Sequence, residues 1–140
     1  MVELDHEFRT GKPTDYNWEA ILDLERLVPC VEGGSVLERT SDDAVKAEIK
    51  VRMGAMSMTF RGTVTVVEQD GTRALLRVKS RDTGGSGYAN ADVTFDVNEG
   101  GGNVHTAATI SGKAASMGEG VVQSVLDALI KDFTTKLAAI

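Results

Sequence analysis

Between residues 44 and 110 the chain alternates apolar and polar side chains with a period of two, and from about residue 114 the period becomes helical. No other feature restricts the fold as strongly. A period of two sends successive side chains to opposite faces of a sheet, whereas the helical period gathers them on one stripe. Val45, Ala47, Ile49, Val51 and Met53 alternate with Lys46, Glu48, Lys50 and Arg52. Met56, Met58, Phe60, Gly62, Val64 and Val66 alternate with Ser57, Thr59, Arg61, Thr63 and Thr65. The pattern continues through Ala74, Leu76, Val78 and Ser80, through Ala89, Ala91, Val93, Phe95 and Val97, and through Val104, Thr106, Ala108 and Ile110. The connections are short: Gly54-Ala55, Asp70-Gly71, Gly84-Gly85-Ser86-Gly87 and Gly100-Gly101-Gly102. Such loops join neighbouring strands and predict an antiparallel meander.

Two further segments complete the order. Val2, Leu4, His6 and Phe8 share one face of a first strand, opposite Glu3, Asp5 and Glu7. Gly11-Lys12-Pro13 ends it, with Thr14 or Asp15 expected to cap a short helix through Trp18, Ile21, Leu22 and Leu24. A second short turn, Glu25 to Val28, is expected to stop at Pro29, and a strand over Ser35–Arg39 follows Gly33-Gly34. At the other end, Val122, Val125, Leu126, Leu129, Ile130, Phe133 and Leu137 form an apolar stripe opposite Gln123, Asp127, Lys131 and Thr134. The helical period runs from about Ala114 to Ala139, and a helix of about 24 residues within it would span roughly 36 Å. The expectation is a single α+β domain over residues 1–140 with a helix-grip architecture: a curved antiparallel sheet of about seven strands around a long C-terminal helix, with two short helices after the first strand.

Charge and composition narrow the function. The net charge is −6, and the excess is local, with 14 acidic and 8 basic side chains in residues 1–70 against 7 of each afterwards. That sign disfavours a nucleic-acid partner. One cysteine, Cys30, leaves no internal disulfide and suits a reducing compartment. The charged, alternating N-terminus lacks the profile of a signal peptide, so a cytoplasmic location is expected. No apolar run reaches the length of a membrane span.

The inward positions are unusually small: Ala47, Gly62, Ala74, Ser80, Ala89, Ala91, Thr106 and Ala108. Small residues let a helix lie close to a sheet, or they leave a cavity beneath it. Methionine placement favours the cavity. Met53, Met56 and Met58 flank the Gly54-Ala55 turn and Met117 begins the last helix, two places that meet at one end of a helix-grip fold. Flexible thioethers can line a site that re-packs around an elongated apolar ligand. The expected ligand contacts are Met53, Met56, Met58, Phe60, Ala91, Val93, Met117, Val121, Val122, Val125 and Leu129, with Leu27 and Val31 closing the wall. Ser80, Thr106 or a backbone amide would supply any hydrogen bond.

Several segments resemble the carbon monoxide dehydrogenase G-subunit family. They are the opening Met-Val-Glu-Leu-Asp-His-Glu-Phe, the Trp18–Leu24 helix, Leu24-Glu25-Arg26-Leu27-Val28-Pro29-Cys30-Val31-Glu32-Gly33, Ile49-Lys50-Val51-Arg52-Met53-Gly54, Phe60-Arg61-Gly62-Thr63 and Ser111-Gly112-Lys113-Ala114-Ala115-Ser116-Met117-Gly118. The sequence departs from that family at Gly11-Lys12-Pro13, where relatives carry a Val-Pro-Ala-Pro type of turn, and at Ala55, often a proline. The resemblance implies the START-like, polyketide-cyclase-like (SRPBCC) superfamily, which binds hydrophobic ligands under the long helix. It implies a link to aerobic molybdenum carbon monoxide dehydrogenase, through membrane attachment or electron transfer to a respiratory quinone. Longer relatives carry a C-terminal extension that meets the membrane. The sequence here ends at Leu137-Ala138-Ala139-Ile140 without one.

The chemistry expected is therefore that of a non-catalytic carrier of an apolar molecule such as a menaquinone-like quinone or lipid, with no covalently bound cofactor and no metal. Its partners would be that ligand, the dehydrogenase complex and a transient membrane surface. The alternatives are an assembly factor with a collapsed pocket and a small cyclase or hydratase. His6 faces inward without an evident acid–base partner, His105 faces outward, and Cys30 follows a proline as a small apolar residue. The glycine runs join strand to strand and lack the helix that phosphate loops need. Outside, Lys50, Arg52, Arg61, Lys79 and Arg81 lie on consecutive strands with Glu48 among them, and Arg52, Arg61 and Arg81 are the candidate docking residues for an anionic surface. The cavity mouth is expected between the Met53–Met58 hairpin, the Thr83–Tyr88 loop and Gly112–Gly120, whose glycines permit movement.

Overall fold

The computed structural model describes residues 1–85 and 87–140; of the Gly84–Gly87 loop, Ser86 lies outside the described residues. The elements follow the order β1 (Val2–Arg9), α1 (Thr14–Leu22), α2 (Leu24–Leu27), a 3-10 turn over Val28–Cys30, β2 (Gly34–Ser41), β3 (Ala44–Met53), β4 (Met56–Gln69), β5 (Arg73–Asp82), β6 (Tyr88–Asn98) and β7 (Gly101–Ile110). A second 3-10 turn over Ala115–Met117 and α3 (Glu119–Ala138) close the chain.

The seven strands form one antiparallel sheet in the order β1-β7-β6-β5-β4-β3-β2, so the meander runs from β2 to β7 and β1 returns beside β7. Turn chemistry sets the register. Gly54, at φ 62°, with Ala55 outside the left-handed region, forms the two-residue turn that pairs Met53 with Met56. Asp70 fixes the next hairpin by accepting hydrogen bonds from the backbone N–H of Thr72 (2.9 Å) and Arg73 (2.7 Å).

Several local expectations differ from what forms. The first helix begins on Thr14 itself, after Pro13, and takes no side-chain cap. The Thr14 hydroxyl instead donates to Glu99 across the loop. Pro29 sits inside a 3-10 turn, where its missing N–H costs little, so the chain tightens before it turns away. The terminal helix is shorter than its pattern. Gly118, at φ 98°, breaks it, leaving a 3-10 turn before a 20-residue α3 about 30 Å long. Thr134, placed by periodicity on the polar face, is buried, and Asp127 is half-buried, because β1 clasps that flank of α3.

The apolar residues form two clusters rather than one. Phe8, Ile21, Leu24, Leu27, Val45, Leu76, Phe95, Phe133 and Leu137 pack at the end carrying the short helices. There Phe95 meets Phe8 edge-on, with centroids 6.4 Å apart, and Phe133 at 6.2 Å. Val2, Met53, Met58, Phe60, Ala114 and Val122 pack at the opposite end. α3 comes closest to β1 and to the Val28–Cys30 turn. It is propped at its flanks over the middle of the sheet.

Candidate functional site

The space between the two clusters is a cavity of about 260 Å³. Its roof is the α3 face formed by Val122, Val125, Leu126, Leu129, Ile130 and Phe133, and its floor comes from β3 to β7. Roof residues from Val122 to Phe133, eleven helical steps apart, make it about 16 Å long. The floor is built from the small inward residues: Ala47, Gly62, Ser80, Ala89, Ala91, Thr106 and Ala108 all line it. Ala74, grouped with them by sequence, is fully buried in the first cluster instead. Each small residue withholds volume that a leucine or valine would have filled, so packing fails along one row of the sheet.

Gly62 has a second cause. A Cβ there would run into the backbone carbonyl of Lys79 and approach Ser80 Cα to 2.6 Å. Glycine at this position is therefore required by strand approach as well as by the cavity.

Of the expected ligand contacts, Leu27, Val31, Met53, Phe60, Ala91, Val93, Val122, Val125 and Leu129 line the cavity, while Met56, Met58, Met117 and Val121 do not. Val121 is 41% exposed, one helical step off the roof face. Met58 is buried in the cluster at the hairpin end, with Met56 and Met117 packed against it. A Cβ on Gly54 would lie 3.7 Å from the Met117 methyl, so the hairpin and the turn before α3 do meet. Met56, Met58 and Met117 close that end of the cavity, and of the four thioethers Met53 alone reaches its wall. Lining residues left out of the expectation, such as Ile49, Val51, Leu76, Val78, Ala108, Leu126 and Ile130, share the parity or helical face of those included. Alternation and stripe alone could have found them.

The polar groups of the wall are few. Ser80 Oγ donates to the Ala89 carbonyl at 2.5 Å. Asn90 Oδ1 accepts from the Ser80 N–H, and Glu48, on the outward alternation, binds Arg61.

His6 has a partner after all. Its Nε2 lies 2.8 Å from Asp127 Oδ1, joining β1 to α3, and neither residue lines the cavity. Lys131 first, and His6 after it, hold the Asp127 carboxyl below the usual carboxylate range. His105 is outward, with Asp5 at 2.6 Å and Glu3 at 3.5 Å, and the Asp5 hydrogen bond raises its pKa. Burial pushes the Cys30 thiol up, against the nearby charges of Lys136 and Arg26. Sequence reading passed over Asn17, which is fully buried; its Nδ2 donates to the carbonyls of Lys12 (3.0 Å) and Asn98 (2.9 Å), pinning the first loop to the β6–β7 turn.

On the outer face, Arg61 and Arg81 are direct cross-strand partners. Glu48 relieves that repulsion by taking both Nε (3.1 Å) and Nη2 (2.6 Å) of Arg61. Arg52, Lys50, Lys79 and Arg81 remain exposed around it. No helix among the described residues is long and apolar enough to cross a membrane.

The fold recurs in solved structures. A conserved protein from Geobacillus kaustophilus superposes with a TM-score of 0.79 at 22% identity, covering 97% of this chain and 91% of that one. A Thermus thermophilus protein gives 0.68 at 13% identity, covering 99% and 98%. The Zhui aromatase/cyclase from Streptomyces gives 0.60 at 11% identity, covering 98% and 91%. At such identities the likeness is one of fold: the seven-stranded sheet gripping a C-terminal helix. No curated protein matches significantly. The sequence pattern of the carbon monoxide dehydrogenase G-subunit family (CoxG) matches residues 7–139, and with that pattern laid over nearly its whole length this chain belongs to that family.

Proposed function

We propose that this protein is a non-catalytic carrier that encloses an elongated apolar molecule between α3 and the sheet. The ligand class is an isoprenoid quinone of the menaquinone type or a similar lipid, and the carrier links a molybdenum carbon monoxide dehydrogenase to the membrane. The observation that carries the reading is the long apolar cavity floored by small side chains, at about 260 Å³ near the lower bound of ordinary ligand sites. Such a volume takes a ring system or a stretch of chain, so a longer molecule would enter only if Met56, Met58 and Met117 moved aside at the glycine-bordered hairpin end. Family membership supports the partner, because the family takes its name from a component of that dehydrogenase. The cyclase alternative has less support: His6 and Asp127 are engaged with each other away from the wall, and Glu48 is engaged with Arg61.

The exposed Arg52 and Arg81, with Arg61 beside them, suit brief contact with an anionic leaflet. Each basic residue near such a surface contributes about 1 kcal/mol, enough for visits and not for residence. Native mass spectrometry and solvent extraction of protein purified from its own host test the proposal. One lipophilic species at one per chain is expected. Recovery of none, together with no uptake of an added apolar fluorophore, would leave the assembly-factor reading in its place.

A further inference from the structure

We infer that the Thr106 hydroxyl is the polar anchor of the cavity and selects ligands carrying a hydrogen-bonding oxygen part-way along an otherwise apolar body. This rests on the carrier reading and adds to it the chemistry of what is carried.

Thr106 lies on β7 between Leu4 of β1 and Val93 of β6, on the inward face, and it lines the cavity. It is 5% exposed, and its hydroxyl has no hydrogen-bond partner among the described residues. Hydroxyls of residues this buried are usually paired, and this one is neither paired nor sealed in the core, so it stays within reach of a ligand. The contrast with Ser80 is direct. Both are small hydroxyl residues on the cavity floor, yet Ser80 spends its proton on the Ala89 carbonyl and so offers little to a ligand. A valine in place of Thr106 would have the same shape without the polar atom.

The neighbouring strand carries a second unmet group. His6 pairs with Val104, one inward position from the Leu4–Thr106 pair, so His6 and Thr106 are diagonal neighbours on one face. Asp127 holds the imidazole by Nε2, and Nδ1 is buried without a partner. Thr106 lines the cavity and His6 does not, so of these two neighbours Thr106 is the one that a ligand can reach. A hydroxyl both donates and accepts, so Thr106 can meet a carbonyl, an ether or a hydroxyl of the ligand.

The test compares two ligands of one shape, acetonaphthone, which has a carbonyl, and ethylnaphthalene, which has a methylene in that place. Binding is measured by calorimetry to the full chain, to T106V, to T106S and to S80A. The parent and T106S should prefer the ketone, and T106V should lose about tenfold in ketone affinity while holding ethylnaphthalene within twofold. S80A, which alters the floor elsewhere, should keep the preference for the ketone over ethylnaphthalene whatever it does to the affinity of either. In the infrared, the bound carbonyl stretch should fall to lower frequency in the parent and T106S and return in T106V. Ketone affinity and carbonyl frequency unchanged in T106V, with both compounds bound, would overturn the anchor and leave the carrier standing. Failure of both compounds to bind the parent would overturn both.

Discussion

His6 Nε2 and Asp127 Oδ1, 2.8 Å apart, tie the first strand to the last helix across 121 positions of sequence. Lys131, one helical turn on from Asp127, binds the other carboxylate oxygen at 3.1 Å, so the latch is a three-membered network along the flank where β1 clasps α3. The carboxyl is stabilised in its charged form, by Lys131 above all. A depressed carboxyl contributes stability that is present above its ordinary pKa and lost as pH falls through the folded value. Thermal unfolding should therefore soften in the parent as pH falls below the ordinary carboxylate range, about pH 4. Asp127→Asn should unfold at lower temperature near neutrality and show a shallower acid slope. Equal slopes in the two proteins would remove Asp127 from the latch.

Filling the floor should separate a cavity from a close-packed core. Ala91 and Ala108 are cross-strand partners that both line it. In a filled core, enlarging either would cost about 1–3 kcal/mol. Here Ala91→Leu and Ala108→Leu should keep or raise the melting temperature and abolish uptake of an apolar fluorophore. A marked fall in melting temperature in both would show that no space was there.

Charge placed on the roof and charge placed in the closed end should act differently. Val125 lines the cavity, so Val125→Asp should abolish ligand uptake and leave a folded protein. Met58 is 6% exposed within a closed apolar cluster, so Met58→Asp should cost several kcal/mol and disrupt that end of the fold. Circular dichroism and uptake measured side by side distinguish the two.

Gly62 should be the least replaceable glycine of the sheet interior. The obstacle to a Cβ is the backbone of Lys79 and Ser80, which cannot swing aside as a side chain can. Gly62→Ala should destabilise by about 3 kcal/mol, the upper part of the range for point variants, as read from denaturant midpoints. A loss below about 0.5 kcal/mol would mean that the strands part easily here.

For the outer face, Arg52→Glu with Arg81→Glu should reduce flotation with anionic vesicles at least tenfold at low salt, and high salt should erase the parent's binding. Arg61 is left out of the pair because removing it would also strand Glu48. Flotation unchanged by the double reversal would take the patch out of any membrane role.

The sequence by itself determined the strands, their meander order, the terminal helix and which side chains face inward. Those properties follow from local periodicity and turn chemistry, and a one-residue slip would expose every apolar side chain. Val45 through Ile110 could be assigned to a face one residue at a time, and the small inward row was visible before any packing was known. Whether that row closes or gapes was beyond periodicity. It depends on the distance between α3 and the sheet, which β1 and the Val28–Cys30 turn set from the flanks. The same distance sent Met58 and Met117 into a plug and brought Asp127 to His6. It also left Thr106 without a partner while Ser80 found one, because which hydroxyl meets a carbonyl depends on ångström-scale geometry that residue identity does not carry.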